Sequence, residues 1–412
     1  MRSQHPDSEA ARERPIKEFP FYAKRLHEID YKAIIDARKP WRDPYFKADI
    51  NSILDPTMMR SERLKNWETY TWKRPADAFK GNNFTIYNEI SPTDIKQGDC
   101  GDCYILSSIS SLAEFPERVK DIFITKEVNE AGCYAVKLYI NGEPEVVVVD
   151  DYFPWCSHKD NWAFSRSSAD QEIWVLILEK AWAKVYGSYQ RIEGGNIGEA
   201  LPALTGAPTD VLMHEDIQNK EQIWNEIKLA DERKYVIATS VSSDQSRRTH
   251  DLMKSMGLVD AHAYSLISAH TVRSGLQTVR LLKIRNPWGR REWNGDWSDF
   301  SSKWTPDLQR QVGFEAKEDG IFFISFEDYV TFFYITSICR YQNGGDLSVA
   351  EDEHKIGDYC VQKFSITQNY KTPIIITLNQ VHSRLADETM RGTYQYAPIK
   401  IVLAKVLSRS NG

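Results

Sequence analysis

The 412-residue sequence contains no apolar run approaching the roughly 18 residues that a membrane-spanning helix needs, so no such helix is expected. It has no lysine–arginine block, and a net charge of −6 with a pI near 5.9 argues against nucleic acid as a main partner. Its first thirty residues carry charge throughout and lack the apolar centre of a secretory signal. Cysteines number only 6 and lie scattered, too sparse for a disulfide framework. A reducing, cytoplasmic setting is therefore expected. No loop with the acidic spacing of an EF-hand occurs anywhere.

What the chain does have is the balance of a folded soluble protein, with 42% hydrophobic, 12% aromatic and 27% charged residues. The 12 Trp and 20 Tyr are a heavy aromatic load, suited to filling contacts between units as well as cores. The length predicts two to three domains. Residues 1–40 read as a charged N-terminal extension, and Trp41 to Lys80, with Pro44, Pro56 and Pro75, as an irregular segment wrapping a domain.

From Gln97 the texture changes. A run of turn formers leads into YILSSISSLAEF, where Ile105, Leu106, Ile109 and Leu112 recur at helical spacing. Cys103 thus stands at the start of a buried helix. A second helix is expected at 170–186, with a strand at 146–150 between the two. Beyond about 209 the chain becomes rich in β-branched and aromatic residues, predicting a helix at 219–231 and strands at 235–241, 263–270, 279–287 and 320–333. The expected architecture is α+β: a helical lobe over 41–208 and a β-rich lobe over 209–341 that share one cleft. A further strand-rich segment at 346–412 is too short for a complete β-sandwich, so it is either a truncated domain or an extension packed on the lobes.

A thiol nucleophile needs a lowered pKa, a base beside it, and donors for an oxyanion. A helix N-terminus together with an imidazolium can bring a cysteine from about 8.5 down to about 3–4. Any one of six cysteines is more often a core residue, but the surroundings of Cys103 set it apart. Gln97 lies in the preceding turn, placed to offer its amide to the oxyanion beside the Cys103 N–H. Downstream, DAHAYS puts His262 before an apolar strand, and RNPWG puts Asn286 directly before Pro287 and Trp288. In a Cys–His–Asn site the asparagine accepts a hydrogen bond from the imidazole and fixes its tautomer, and a neighbouring tryptophan shields that bond from water.

These segments together resemble the calpain family of cysteine proteases. QGDCGDCY is similar to the family's nucleophile motif, DAHAYS to its histidine motif, and RNPWGRREWNGDWSD to its asparagine motif. WKRPADAF, VVVVDDYFP, LEKAWAKVYGSY and EDGIFFISFEDY match family segments in the same order, over roughly residues 41 to 341. The resemblance implies a two-lobed papain-like protease core, with Cys103 on the first lobe and His262 and Asn286 on the second. It also implies limited cleavage of protein substrates, with calcium aligning the lobes. Tyr104 stands where the family has tryptophan, and Asp260 and Ala261 precede His262 where glycine is usual.

The resemblance further implies calcium ligands. Asp94 and Glu172, with backbone carbonyls of 87–90, match a first-lobe site, and Glu292, Asp299 and Asp319 match a second-lobe site. Lys317 and Ile321 replace oxygen donors at the second site, which is therefore expected to bind calcium weakly or not at all. The final strands resemble the start of the family's β-sandwich. Gly194 and Gly195 read either as a place where substrate backbone pairs along the cleft, with Trp288 beside it, or as a simple turn.

Rival readings follow from the same residues. Cys100 and Cys103 form a C-x-x-C pair, but the remaining cysteines are single, which disfavours zinc; an inactivating Cys100–Cys103 disulfide is the redox alternative. A catalytically dead scaffold usually lacks one of the triad residues, and all three are present. Other papain-like chemistries use the triad within different surrounding motifs. His158 and His270 read as structural or surface residues.

Overall fold

The computed structural model describes residues 26, 28–79, 83–167, 171–241, 247–274, 277–341, 376, 377 and 385. The strand-rich segment expected at 346–412 lies outside the described residues apart from 376, 377 and 385, and so do residues 1–25 of the charged extension. No helix among the described residues is long and apolar enough to cross a membrane.

The first unit is built around the Cys103–Ala113 helix, buried from Tyr104 to Ala113. Its two leucines and two isoleucines supply apolar area, while four serines keep the other faces slim enough for close approach. Two of the hydroxyls bond within this unit: Ser108 Oγ donates to Tyr104 O at 2.7 Å and Ser110 Oγ to Pro92 O at 3.3 Å. The Trp174–Tyr186 helix packs nearby and is buried on every side, including Glu179, Lys180 and Lys184. Such charges are tolerated in a core only when paired and hydrogen-bonded. Lys180 pairs with Asp150 and donates to Tyr152 O at 2.6 Å, and Lys184 Nζ meets Asp43 Oδ2 at 2.5 Å. Gly187, at φ 102°, ends this helix in the left-handed conformation glycine permits.

Beside these helices lies an antiparallel hairpin, Cys133–Ile140 with Glu143–Asp150. Its turn is Asn141-Gly142 with φ of 53° and 89°, the pairing a two-residue hairpin loop demands. The segment 41–79 is more structured than its prolines suggest. It holds the Ile50–Ile53 helix, a 3₁₀ turn at Glu62–Thr69, and a strand, Thr71–Lys73, that pairs with Phe153–Cys156.

The second unit is a six-stranded sheet in the order Ile321–Ser325, Gln277–Arg285, Ala263–Ser274, Val236–Ser240, Ile335–Cys339, Thr209–Met213. Every neighbouring pair is antiparallel. The Lys220–Glu232 helix and the buried rings of Trp224, Tyr264, Phe322 and Tyr329 close one core. The aromatic run at 320–333 is not one strand. It divides into the Ile321–Ser325 strand and the Phe326–Phe332 helix, because Ser325 caps the helix by accepting the Asp328 N–H at 3.1 Å.

The two units meet along the Cys103–Ala113 helix. Ser107 Oγ donates to Ala263 O at 2.8 Å, and Ser265 Oγ donates to Ser107 O at 3.1 Å. Arg285, fully buried, reaches across from the sheet to Thr93 O at 3.2 Å, Ile95 O at 2.9 Å and Ser110 Oγ at 3.3 Å. These contacts register one unit against the other where the expected triad lies.

Candidate active site

Cys103 is the first residue of its helix, and among the described cysteines it alone is not fully buried. Its sulfur faces three backbone N–H groups, those of Cys103, Tyr104 and Ala263, all of which favour the thiolate. Ala263 directly follows His262, so this contact brings the nucleophile and the base from different units together. Desolvation nonetheless dominates and pushes the Cys103 thiol up to about 11, and Asp102 would add to the rise when ionised. Burial likewise depresses His262 to about 4, against the opposing hydrogen bond from Asn286. Both shifts have the same physical cause: burial strips hydration from the charged form of each group.

The tautomer of His262 is set by its neighbours. Asn286, 0% exposed, accepts at Oδ1 from the Trp288 backbone N–H at 3.0 Å and donates from Nδ2 to Arg291 O at 3.0 Å. That orients the amide with oxygen toward His262 Nε2, 2.9 Å away. An oxygen there requires Nε2 to carry the proton, which leaves Nδ1 as the basic nitrogen. The Trp288 ring packs on the imidazole with centroids 4.8 Å apart, covering the His262–Asn286 bond.

Gln97 lies at the site in a role of its own. Its Nε2 donates to Cys100 O at 2.7 Å and stands 3.5 Å from Asp102 Oδ1, while Oε1 accepts from the Trp288 indole at 2.7 Å. The amide expected to face an oxyanion is instead turned into its own loop, because the Cys100 carbonyl and the indole are the partners within reach. The result is a bridge from the nucleophile loop to the tryptophan of the other unit.

Gly194 has left-handed backbone at φ 65°, and Gly195 is closely packed. Gly194 N–H donates to Gly101 O at 2.8 Å, and Gly101 N–H donates to Glu193 Oε1 at 3.0 Å, zipping this turn against the nucleophile loop. A Cβ on Gly195 would lie 2.5 Å from the Tyr104 ring. Tyr104 itself accepts from Trp182 Nε1 at 2.9 Å, so the phenol serves a buried donor in the core.

The carboxylates named as calcium ligands are engaged by the protein. Glu172 accepts from Asn88 N–H at 2.8 Å, Trp174 Nε1 at 3.2 Å and Ser167 Oγ at 3.3 Å. Asp94 accepts from Ser91 N–H at 2.7 Å in a capping box. In the second unit, Glu292 accepts from Gly320 N–H at 2.7 Å, Asp299 from Lys317 N–H at 3.0 Å, and Asp319 from Ile321 N–H at 2.9 Å. Burial, with Asp299 and Asp319 nearby, raises Glu292 to about 7. The Lys317 ammonium turns to Glu315. Among the described residues no group of three or more His, Cys, Asp or Glu side chains is gathered as a metal centre.

Some positions at the site were not singled out from sequence. Ser107, Ser265 and Arg285 dock the units, and Asp102 and Glu179 lie buried behind the nucleophile. Asp102 and Glu179 fall within matched motifs, yet nothing in their spacing announces that they meet.

Comparison with known proteins identifies the family. Residues 41–340 match the family model described as calpain family cysteine protease. The chain is 33% identical over 319 residues to Calpain-12 of Mus musculus, covering 76% of this chain and 43% of that protein. It is 31% identical over 319 residues to Calpain-type cysteine protease ADL1 of Oryza sativa subsp. japonica, covering 74% of this chain and 14% of the relative. Against Calpain-type cysteine protease DEK1 of Arabidopsis thaliana it is 32% identical over 330 residues, with 77% and 15% covered. The chain thus spans less than half the length of these relatives.

Proposed function

The chain belongs to the calpain family of cysteine proteases, and on that premise we propose that it is an endopeptidase making limited cuts in protein substrates. Cys103 is the nucleophile, His262 the base, and Asn286 the residue that orients the base. The observation that carries this reading is the fixed Asn286 amide, which assigns the Nε2 proton and leaves Nδ1 free to accept a proton. As the Cys103 sulfur attacks the peptide carbonyl, its proton passes to His262, which then returns it to the leaving amine. Water deprotonated by the same histidine hydrolyses the acyl-enzyme. The Cys103 backbone N–H supplies one oxyanion donor, and Gln97 supplies a second once its amide leaves Cys100 O.

Calcium regulation is a finer reading, which rests on oxygen chemistry. Asp94 and Glu172 bracket the same loop, Glu172 bridging to Thr85 and Asn88 and Asp94 closing it at Ser91. Together with carbonyls of 87–90 they offer the hard donors that calcium prefers. When bound, the ion would neutralise two carboxylates and tie down this loop. The second-unit carboxylates fit less well, because Ile321 offers no oxygen side chain and the Lys317 ammonium lies within their field.

Casein digestion with and without calcium, using the wild type and Cys103→Ala, tests the reading. Cleavage is expected from the wild type alone, at equal folded content. Cleavage that survives Cys103→Ala overturns the nucleophile, and a folded wild type inert in both conditions favours the alternative, a calpain-like binding scaffold.

A further inference from the structure

Aspartate is among the best helix N-caps because its carboxylate normally accepts a free N–H of the first turn. Asp102 is the N-cap of the nucleophile helix, yet its side chain makes no capping bond. Instead it points inward, 0% exposed, and lies against the carboxyl of Glu179, itself 1% exposed. Asp102 Oδ2 has no donor, and the carboxyl is otherwise met by its own backbone N–H and by the Gln97 amide, 3.5 Å from Oδ1. Two carboxylates meeting in a core repel, and neither has a hydrogen to give the other. One proton between them resolves both problems. It also satisfies the orphaned oxygen.

We propose that Asp102 and Glu179 share one proton, with Asp102 neutral and the single negative charge held on Glu179, so that no carboxylate adjoins the Cys103 thiol. The geometry fixes which partner is charged. Glu179 Oε1 accepts the buried Ser165 N–H at 2.9 Å, whereas Asp102 Oδ2 has no donor and the carboxyl meets only its own N–H and the Gln97 amide at 3.5 Å. Burial supports the same order, raising Asp102 well above the usual carboxylate range and Glu179 to about 7. The other ionisable groups facing the pair are Cys100, Cys103, Tyr189 and Glu193, and Arg63 neutralises the last by an ion pair. None is a cation aimed at Asp102. An ionised Asp102 would oppose a thiolate one residue away, so Glu179 acts as a positioning residue for charge: it keeps the proton on Asp102.

This inference rests on Cys103 being the nucleophile, and its test reads the thiol directly, whether or not the chain cleaves protein. The rate of Cys103 alkylation by uncharged iodoacetamide is measured from pH 7.5 to 9 in the full chain. Glu179→Gln removes the preferred seat of the charge and its like-charge repulsion and offers Asp102 an amide N–H donor, which lets Asp102 ionise, and is expected to slow alkylation about tenfold at each pH, one unit of thiol pKa. Asp102→Asn leaves the charge on Glu179 and should react within about twofold of wild type, and the double variant should recover the rate lost by Glu179→Gln. Equal slowing by both single variants, or none by Glu179→Gln, overturns the proposal. If Glu179→Gln does not fold, the infrared difference between wild type and Asp102→Asn at pH 8 decides. A protonated carboxylic acid band in the wild type is expected, and its absence refutes the shared proton.

Discussion

Ser107 Oγ donates to Ala263 O at 2.8 Å, joining the nucleophile helix to the residue after the base. The reciprocal bond, Ser265 Oγ to Ser107 O at 3.1 Å, makes the contact two-sided. Cys103 begins this helix one turn before Ser107, so sliding the helix along the strand would part the sulfur from His262. Ser107→Ala leaves Ala263 O buried without this donor, which costs about 1–3 kcal/mol. We expect a lower denaturant midpoint and a reduced kcat with little change in KM. A variant of full stability and full kcat would remove Ser107 from the docking of the two units.

Ala261 has φ 48°, in the left-handed region, immediately before His262. A side chain there costs roughly 1–2 kcal/mol, while glycine costs about 0.5–1 in entropy. The family's usual glycine before the histidine is the residue this backbone prefers. Ala261→Gly should therefore stabilise the fold by up to about 1 kcal/mol and leave His262 in place. Thermal unfolding that shows a lowered midpoint would mean the Ala261 methyl makes contacts that outweigh the strain.

How much was legible in sequence follows from which residues carry local signals. Cys103, His262 and Asn286 sit beside turn formers and strand starts, which gives their motifs a local signal, and His262 lies 2.9 Å from Asn286 Oδ1. The nucleophile helix was legible from Ile105, Leu106, Ile109 and Leu112. Strand content at 320–333 was overestimated because Phe326 and Tyr329 look β-like, whereas the Ser325 cap decides for helix. The desolvation of the thiol, the inward Gln97 amide and the Asp102–Glu179 pair were invisible. Each depends on desolvation or on a partner distant in the chain, and neither leaves a spacing pattern.

Two histidines tie stability to acid. His214 and His262 are both buried, and burial lowers each to about 4. A histidine depressed in the fold contributes stability that is present above its unfolded pKa, near 6.5, and is lost as pH falls toward 4. His214 Nδ1 donates to Phe333 O at 2.8 Å, so its Nε2 accepts from Thr336 Oγ1 at 2.7 Å in the neutral form. Glu179 and Glu292, raised to about 7, act in the opposite sense over the same range. The clean measure is therefore a difference. The stability of wild type minus that of His214→Gln should shrink between pH 6.5 and 4.5, reaching for on the order of 3 kcal/mol as a ceiling by pH 4. A difference constant over this range would show that His214 does not titrate with unfolding.

Calcium is best tested through stability, because a bound ion stabilises the folded state whether or not the site is catalytic. An ion at 100 times its Kd adds about 2.7 kcal/mol, which a thermal shift resolves easily. If Asp94 and Glu172 hold it, Glu172→Gln should lose most of the calcium-dependent shift. Its calcium-free midpoint will fall as well, since Glu172 accepts from Asn88 N–H and Trp174 Nε1, so only the shift is diagnostic. Asp319→Asn probes the second unit, where like charge from Asp299 and Asp319 already raises Glu292. There the shift should be unchanged at low calcium, while the calcium-free midpoint rises slightly as repulsion is relieved. A shift that Asp319→Asn abolishes and Glu172→Gln preserves would move the calcium site to the second unit.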